Sequence, residues 1–500
     1  MSLQIPLDRE STTPLYQQIK QAFIEAIERG ELPPLTRLPA TRKLARQLGV
    51  NRVTVVTAYA ELAAEGYISS HVGRGSYVLD RAERAAEHEW RSAPPSLRDP
   101  AEWTAHTFNR EMLRLARRPD ILSFAPGMPA TDLLPVDAYR LALNKVLRRD
   151  GAEVLQYAPL EGYPPLHQAI VEELAAFGIR VEPEDLLVTS GAEQALALVL
   201  RTLLRPGDTM LIEHPTYMHV LDLLAGSGIH VQPVPLDEGG LQADKLPELV
   251  ARHRPKLLYL TPTFQNPTGV CLDPDRARRL LTLAAENDII LLEDDVYRHL
   301  WFYRPPPPPL RALDPADNVI YINGYSKCLL PGARIGYLIP PRRFREALRA
   351  AHQTLDIAAG ELHQRALALY FQEGGFGSHL RRLRQVYRQR LEAMLAALAR
   401  YMPQGTRWTR PDGGLYIWLQ LPRDGPGATT LYVHALELGV AFAPGHLFYL
   451  PGRAHPGSLA AHSLRLNFAL HSPEAIEDGI RRLALAWCRA GGETAPGEGC

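Results

Sequence analysis

Cysteine is scarce in this sequence, 4 in 500 residues, at Cys271, Cys328, Cys488 and Cys500. None forms a CxxC pair and no histidine–cysteine group has zinc spacing, so neither a disulfide scaffold nor a metal site is expected. Long hydrophobic stretches are missing too, and no apolar run reaches the ~18 residues a membrane-spanning helix needs. The opening MSLQIPLDRE has no apolar core of a secretory leader, and a reducing, cytoplasmic setting is expected. Net charge is absent as well, with 55 basic and 55 acidic residues, so any affinity for nucleic acid must come from a local concentration of charge. What remains is an ordinary globular composition, 46% hydrophobic and 22% charged. The length exceeds what one hydrophobic core supports, which predicts at least two domains.

Residues 1–80 read as one small unit. LYQQIKQAFIEAIERG places Leu15, Ile19, Phe23 and Ile27 at helical spacing and stops at Gly30. TRKLARQLG is a short helix with Leu44, Ala45 and Leu48 inward and Gly49 as its stop. NRVTVVTAYAELAAEG follows, with Asn51 as N-cap and Gly66 at its end. YISSHVGRGSYV reads as two strands around Gly73-Arg74-Gly75. Helix, glycine turn, helix and hairpin is the order of a winged helix-turn-helix. Between residues 37 and 79 six basic residues face only Glu61 and Glu65, a local excess suited to phosphates. The same pattern also fits a helical docking domain with a solvated basic face.

Residues 81–115, charged and containing APPS, read as a linker, helical in part. From 116 to 490 the apolar runs DLLVTSG, DTMLIEH, KLLYLTP, DIILLEDD and NVIYING alternate with helical stretches, the pattern of a mainly parallel sheet wrapped by helices. RPPPPP is a surface loop.

One lysine stands out. NVIYING delivers Lys327 to a loop at a strand's carboxyl end, where α/β sheets bind ligands. A lysine placed among cations and out of water becomes a nucleophile toward aldehydes. Ser326 and Arg334 stand close enough in sequence to hold an anion beside it. TSGAEQAL offers backbone N–H groups at Gly191 and Ala192 to a phosphate at a helix start. EHPTY places Tyr217, QNPTG places Asn266 and LLEDDVY places acids at other strand ends.

Two resemblances draw these parts together. LPATRKLARQLGVNRVTVVTAYAELAAEGYISSHVGRGSYV resembles the winged helix-turn-helix of GntR-family regulators, which implies double-stranded DNA as a partner and Arg42, Arg52, Thr54, Gly73 and Arg74 as its contacts. PGMPATDLLP, YAPLEGYPPL, TSGAEQAL, NPTG, EDDVY, YSKCLLPGARIGY, GGLYIWL and LRLNF resemble, in order, the motifs of class I/II aminotransferases of fold type I. That resemblance implies a smaller α+β subdomain beside the main sheet, and pyridoxal 5'-phosphate as cofactor, held as a Schiff base by Lys327. By the same resemblance Asp294, or Asp295 one register on, pairs with the pyridinium nitrogen. Asn266 and Tyr297 bond the phenolic oxygen, and Tyr217 stacks on the ring. Gly191, Ala192, Ser326 and Arg334 hold the phosphate, and Arg465 grips a substrate carboxylate. Tyr157 resembles the tyrosine that reaches a partner subunit's cofactor, implying a homodimer. Two positions depart from the family: Gly324 stands where relatives often have a hydroxyl residue, and His167 where they have arginine. A GntR-like front on such a body resembles the MocR/GabR regulators. The expected function is a regulator that senses an amino compound at the cofactor; the alternative is a working aminotransferase.

Overall fold

The computed structural model describes residues 5–9, 11, 13–29, 31–33, 36–64, 67–71, 75–78, 104–157, 162–356, 359–451 and 458–491. The chain divides into two compact bodies, Met1–Arg98 and Asp99–Cys500.

In the first body, helix α1 (Leu15–Glu28) buries Ile19, Phe23 and Ile27, the stripe its periodicity requires. Helix α2 (Thr41–Leu48) buries Leu44 and Ala45 and stops at Gly49, whose φ of 63° is a left-handed conformation that favours glycine. Helix α3 (Arg52–Ala64) starts where Asn51 Oδ1 accepts the Val53 N–H at 3.0 Å, satisfying a free donor of the first turn. Phe23 meets Tyr59 edge-on at 5.6 Å, and Lys20 pairs with Glu61 at 2.9 Å, so α1 and α3 are joined through both core and surface. Strands β1 (Ile68–His71) and β2 (Gly75–Val78) pair antiparallel, with Ile68 opposite Val78 over the core. Gly73 and Arg74 lie outside the described residues.

The second body is built on an eight-stranded sheet. Its order is Leu187–Thr189, Gly336–Ile339, Val319–Gly324, Ile290–Asp294, Leu257–Leu260, Thr209–His214, His230–Asp237 and Gly240–Leu241. The five central strands from Val319–Gly324 to His230–Asp237 run parallel, and Gly336–Ile339 is inserted antiparallel. The five expected runs are all strands of this sheet, buried on both faces as helix-covered strands must be. A smaller antiparallel sheet, Arg407–Trp408, Tyr416–Gln420, Ser463–Asn467 and Ala443–Pro444, belongs to the α+β part, with the long helix Gly375–Tyr401 packed on Pro473–Arg489.

The stretch read as a linker, helical in part, has a helix at its end nearest residue 116. Ala105–Leu115 is a helix, opened by a capping box at Thr104 and packed against the helix Met218–Leu224. Phe108, Met112 and Leu115 are its buried stripe, which Arg110, Glu111 and Arg114 mask in the sequence. The second body thus begins ahead of residue 116. Among the described residues no helix is long and apolar enough to cross a membrane.

Candidate functional site

Thr189, His214, Leu260, Asp294 and Gly324 end their strands at one edge of the sheet. The loops leaving that edge wall a cavity of about 290 Å³. Lys327, Asp294, Asn266, Tyr217, Arg334 and Arg465 all line it, with Ala192, Ser326 and Tyr297.

Lys327 Nζ donates to the Gly127 carbonyl at 2.7 Å, which aims the amine across the cavity. A Cβ on Gly127 would fall 2.3 Å from Tyr416 Oη, so a side chain there would fill the space the amine uses. Strand alternation separates the two candidate aspartates. Asp294 faces the cavity and its Oδ2 accepts the Tyr259 hydroxyl at 2.9 Å, while its buried Oδ1 has no partner. Burial pushes its carboxyl up to about 6 against the lowering bond from Tyr259. Asp295 is engaged elsewhere, in an ion pair with Arg298 and a 3.0 Å bond from Tyr321 Oη.

Asn266 links the two sheets. Its Nδ2 donates to Tyr297 Oη at 3.2 Å, and its Oδ1 accepts Arg465 Nη1 at 2.8 Å. Arg465 sits on the smaller sheet, fully buried, with its guanidinium 4.1 Å from the Tyr416 ring centroid and Nη2 bonded to the Ala125 carbonyl at 2.7 Å. Its Nε has no partner.

The anion end is a close backbone approach. Gly191, at φ 93°, precedes the helix Ala192–Leu203, and Arg334 lies against it while donating to the Ser190 carbonyl at 3.1 Å. A Cβ on Gly336 would sit 2.4 Å from the Ala192 nitrogen, so this strand and helix start meet only through glycine. At Gly324, the departure from the family, a Cβ would lie 3.2 Å from Gly336 Cα and from the Ile335 carbonyl oxygen, a tighter fit than usual. His167 is no part of the cavity; its Nδ1 donates to the Pro183 carbonyl at 2.9 Å. Tyr157 is 77% exposed and stands apart from the cavity lining.

Several residues of the site were not singled out from sequence. Glu213 Oε2 accepts the Thr261 N–H at 2.9 Å and Gln265 Nε2 at 3.3 Å, and Gln265 also donates to the Pro215 carbonyl at 2.9 Å. The pair therefore fastens the loop of Tyr217 to the loop of Asn266. Full burial pushes the Glu213 carboxyl up to about 8. Glu193 accepts the Tyr217 hydroxyl at 3.0 Å and pairs with His219 at 3.4 Å, and the His219 ring stacks on Tyr217. Tyr416, Gly127 and Glu213 lie inside motifs quoted above; Tyr259 carried no signal beyond its apolar run.

Chemically, the cavity joins an amine, an unpartnered buried carboxylate oxygen and an arginine beside the start of the helix Ala192–Leu203. That donor set fits an aldehyde-bearing heteroaromatic phosphate. In the first body, Arg42 and Arg52 are exposed and Thr54 is half-buried.

Comparison with known proteins agrees. Residues 119–483 match the family described as aminotransferase class I and II, and residues 15–78 match the bacterial regulatory proteins of the gntR family. A 2-aminoadipate transaminase of Thermus thermophilus is 39% identical over 380 residues, covering 75% of this chain and 92% of the relative. The probable rhizopine catabolism regulatory protein MocR of Rhizobium meliloti is 29% identical over 491 residues, covering 96% of this chain and 95% of its own length. The crystal structure of LysN, an alpha-aminoadipate aminotransferase of Thermus thermophilus, superposes with a TM-score of 0.70 at 37% identity, covering 76% of this chain and 94% of that one. The chain belongs to the aminotransferase class I and II family and carries that domain behind a gntR-family helix-turn-helix, the arrangement of its MocR-type relatives.

Proposed function

We propose that the protein is a DNA-binding transcriptional regulator that senses an amino compound with pyridoxal 5'-phosphate bound in its second body. One observation carries the reading: Lys327, Asp294 and Arg465 line a single cavity in a chain whose front is a gntR-type helix-turn-helix. Bound there, the cofactor supplies an aldehyde that condenses with amines and a ring that withdraws electrons. Lys327 would anchor it, and the free Oδ1 of Asp294 would accept the ring N–H, the pairing that favours the carboxylate over its buried acid form. Asn266 and Tyr297 would donate to the phenolic oxygen, and Tyr217 would cover the ring. Gly191, Ala192, Ser326 and Arg334 would take the phosphate. Arg465 takes the ligand's carboxylate in a planar two-pronged grip. In a homodimer the exposed Tyr157 reaches toward the second copy, and two front modules engage two half-sites in DNA, which places the protein in the cytoplasm with its operator. A ligand that binds one arrangement of the body better than another shifts DNA affinity by that difference.

The second reading, a working aminotransferase, is favoured by the likeness to the Thermus transaminase and by the complete set of lining residues. One experiment separates them. The protein is mixed with amino donors and 2-oxoglutarate and assayed for keto-acid product, and its affinity for its own promoter is measured with and without the same donors. Donor-dependent promoter affinity without turnover supports the regulator; sustained turnover with unchanged promoter affinity supports the enzyme.

A further inference from the structure

Helix α3 has two apolar faces, and the core accounts for one. Val55, Ala58, Tyr59 and Leu62 form the buried stripe at i, i+3, i+4 and i+7. Val53, Val56 and Ala60 form a second stripe on the other side of the helix, and it is open: Val53 is 68% exposed and Val56 43%. Thr57, between them, turns its hydroxyl back onto the Val53 carbonyl at 3.0 Å. A helix apolar on both sides is normally buried on both, so the outer stripe calls for an occupant.

The surroundings say which occupant. The stripe begins at Arg52, and the neighbouring helix α2 exposes Arg42, Lys43 and Arg46, with no acidic partner for any of the four among the described residues. An apolar strip bordered by unpaired cations suits a polyanion that carries apolar groups. Duplex DNA is one: its phosphates line the major groove, and within the groove only thymine presents a methyl group. Past Arg52 the stripe itself is apolar, and the Thr57 hydroxyl beside it is spent on the Val53 carbonyl. We infer that Val53 and Val56 read thymine methyl groups in the major groove, beside the contact made by Arg52, so that each half-site holds thymine at one or two fixed positions. The inference rests on the DNA-binding reading proposed above and adds the base class that the helix selects.

The test uses the full chain loaded with cofactor. Duplexes are selected from a random library, and each thymine of the enriched motif is then replaced singly by deoxyuridine, which removes only the methyl. Affinity is measured at fixed salt for the parent and for V53A and V56A, whose exposed positions keep the fold, as circular dichroism checks. Burying one methyl is worth about a fourfold change in affinity, so the parent should lose about fourfold at one or two thymines. The matching alanine variant should no longer distinguish thymine from deoxyuridine there. Equal binding of all deoxyuridine duplexes by the parent, an enriched motif without thymine, or undiminished sensitivity in both variants overturns the inference while leaving DNA binding in place. Failure of the parent to enrich any motif removes the DNA-binding reading and the inference together.

Discussion

Lys327 is carried by the turn after Val319–Gly324, and its side chain lines the cavity and bonds the Gly127 carbonyl rather than filling the core. Lys327→Ala is therefore expected to stay folded by circular dichroism. It should also lose the visible absorbance of the bound cofactor and all borohydride-fixed label. Label fixed at another lysine would refute its role. Glu213 predicts a pH dependence of stability. Burial holds its proton in the folded protein up to about 8, whereas an exposed carboxyl releases it near 4.5. Between those values the folded state binds more protons than the unfolded state, so stability is highest at the acid end and falls as pH rises toward 8. Glu213→Gln keeps the shape without the proton, and the fall in melting temperature between pH 5 and 8 should flatten. An unchanged slope would mean that the carboxyl is ionised in place. Residue roles were unevenly legible. Asp294 was preferred to Asp295 on its D-x-x-Y spacing to Tyr297, and alternation at the strand end sets Asp294 toward the cavity. Tyr259, which holds Asp294 from 35 positions away, gave no sign in a run that read only as core.

Among the elements, the parallel strands were readable because burial on both faces leaves continuous apolar runs. Gly336–Ile339 was not, since it hides in the tail of a motif that reads as a loop and pairs antiparallel against the sheet's general direction. Its first residue carries the next prediction. Gly336→Ala would drive a methyl into the Ala192 nitrogen and the Gly191 backbone, which have no flexible side chain to yield. The helix start must shift, and a loss of about 1–3 kcal/mol in stability is expected, as for overpacking. Cofactor affinity, followed by absorbance titration, should fall with it. Parent-like affinity would show that this helix start does not hold the phosphate. Helix α3 gives the companion case in the other body. Arg52→Ala should weaken operator binding by about 1–3 kcal/mol and leave the cofactor spectrum unchanged. If the loss is equal on all sequences and the salt slope shrinks by about one, the contact is to phosphate rather than to a base. Operator binding at parent strength across a salt series would take Arg52 out of the interface.

For the molecule as a whole, composition gave no hint of nucleic acid, because the basic front is balanced by acids elsewhere in a chain with no net charge. Only the local pattern carried that information. A helical part of residues 81–115 was legible, but its membership of the second body was not, because Arg110, Glu111 and Arg114 mask the buried stripe of that helix.

Arg465 and Lys327 stand on separately built sheets, one antiparallel and one mainly parallel, and the cavity lies between them. A ligand with both an amino group and a carboxylate is a clasp whose two ends fasten to different frames. A simple alkylamine has only one end. It should change the absorbance of the bound cofactor as an amino acid does, yet leave promoter affinity where it was, while the amino acid with the same carbon chain shifts it. Equal shifts from both would mean that the signal arises at the lysine alone, with no need to span the gap.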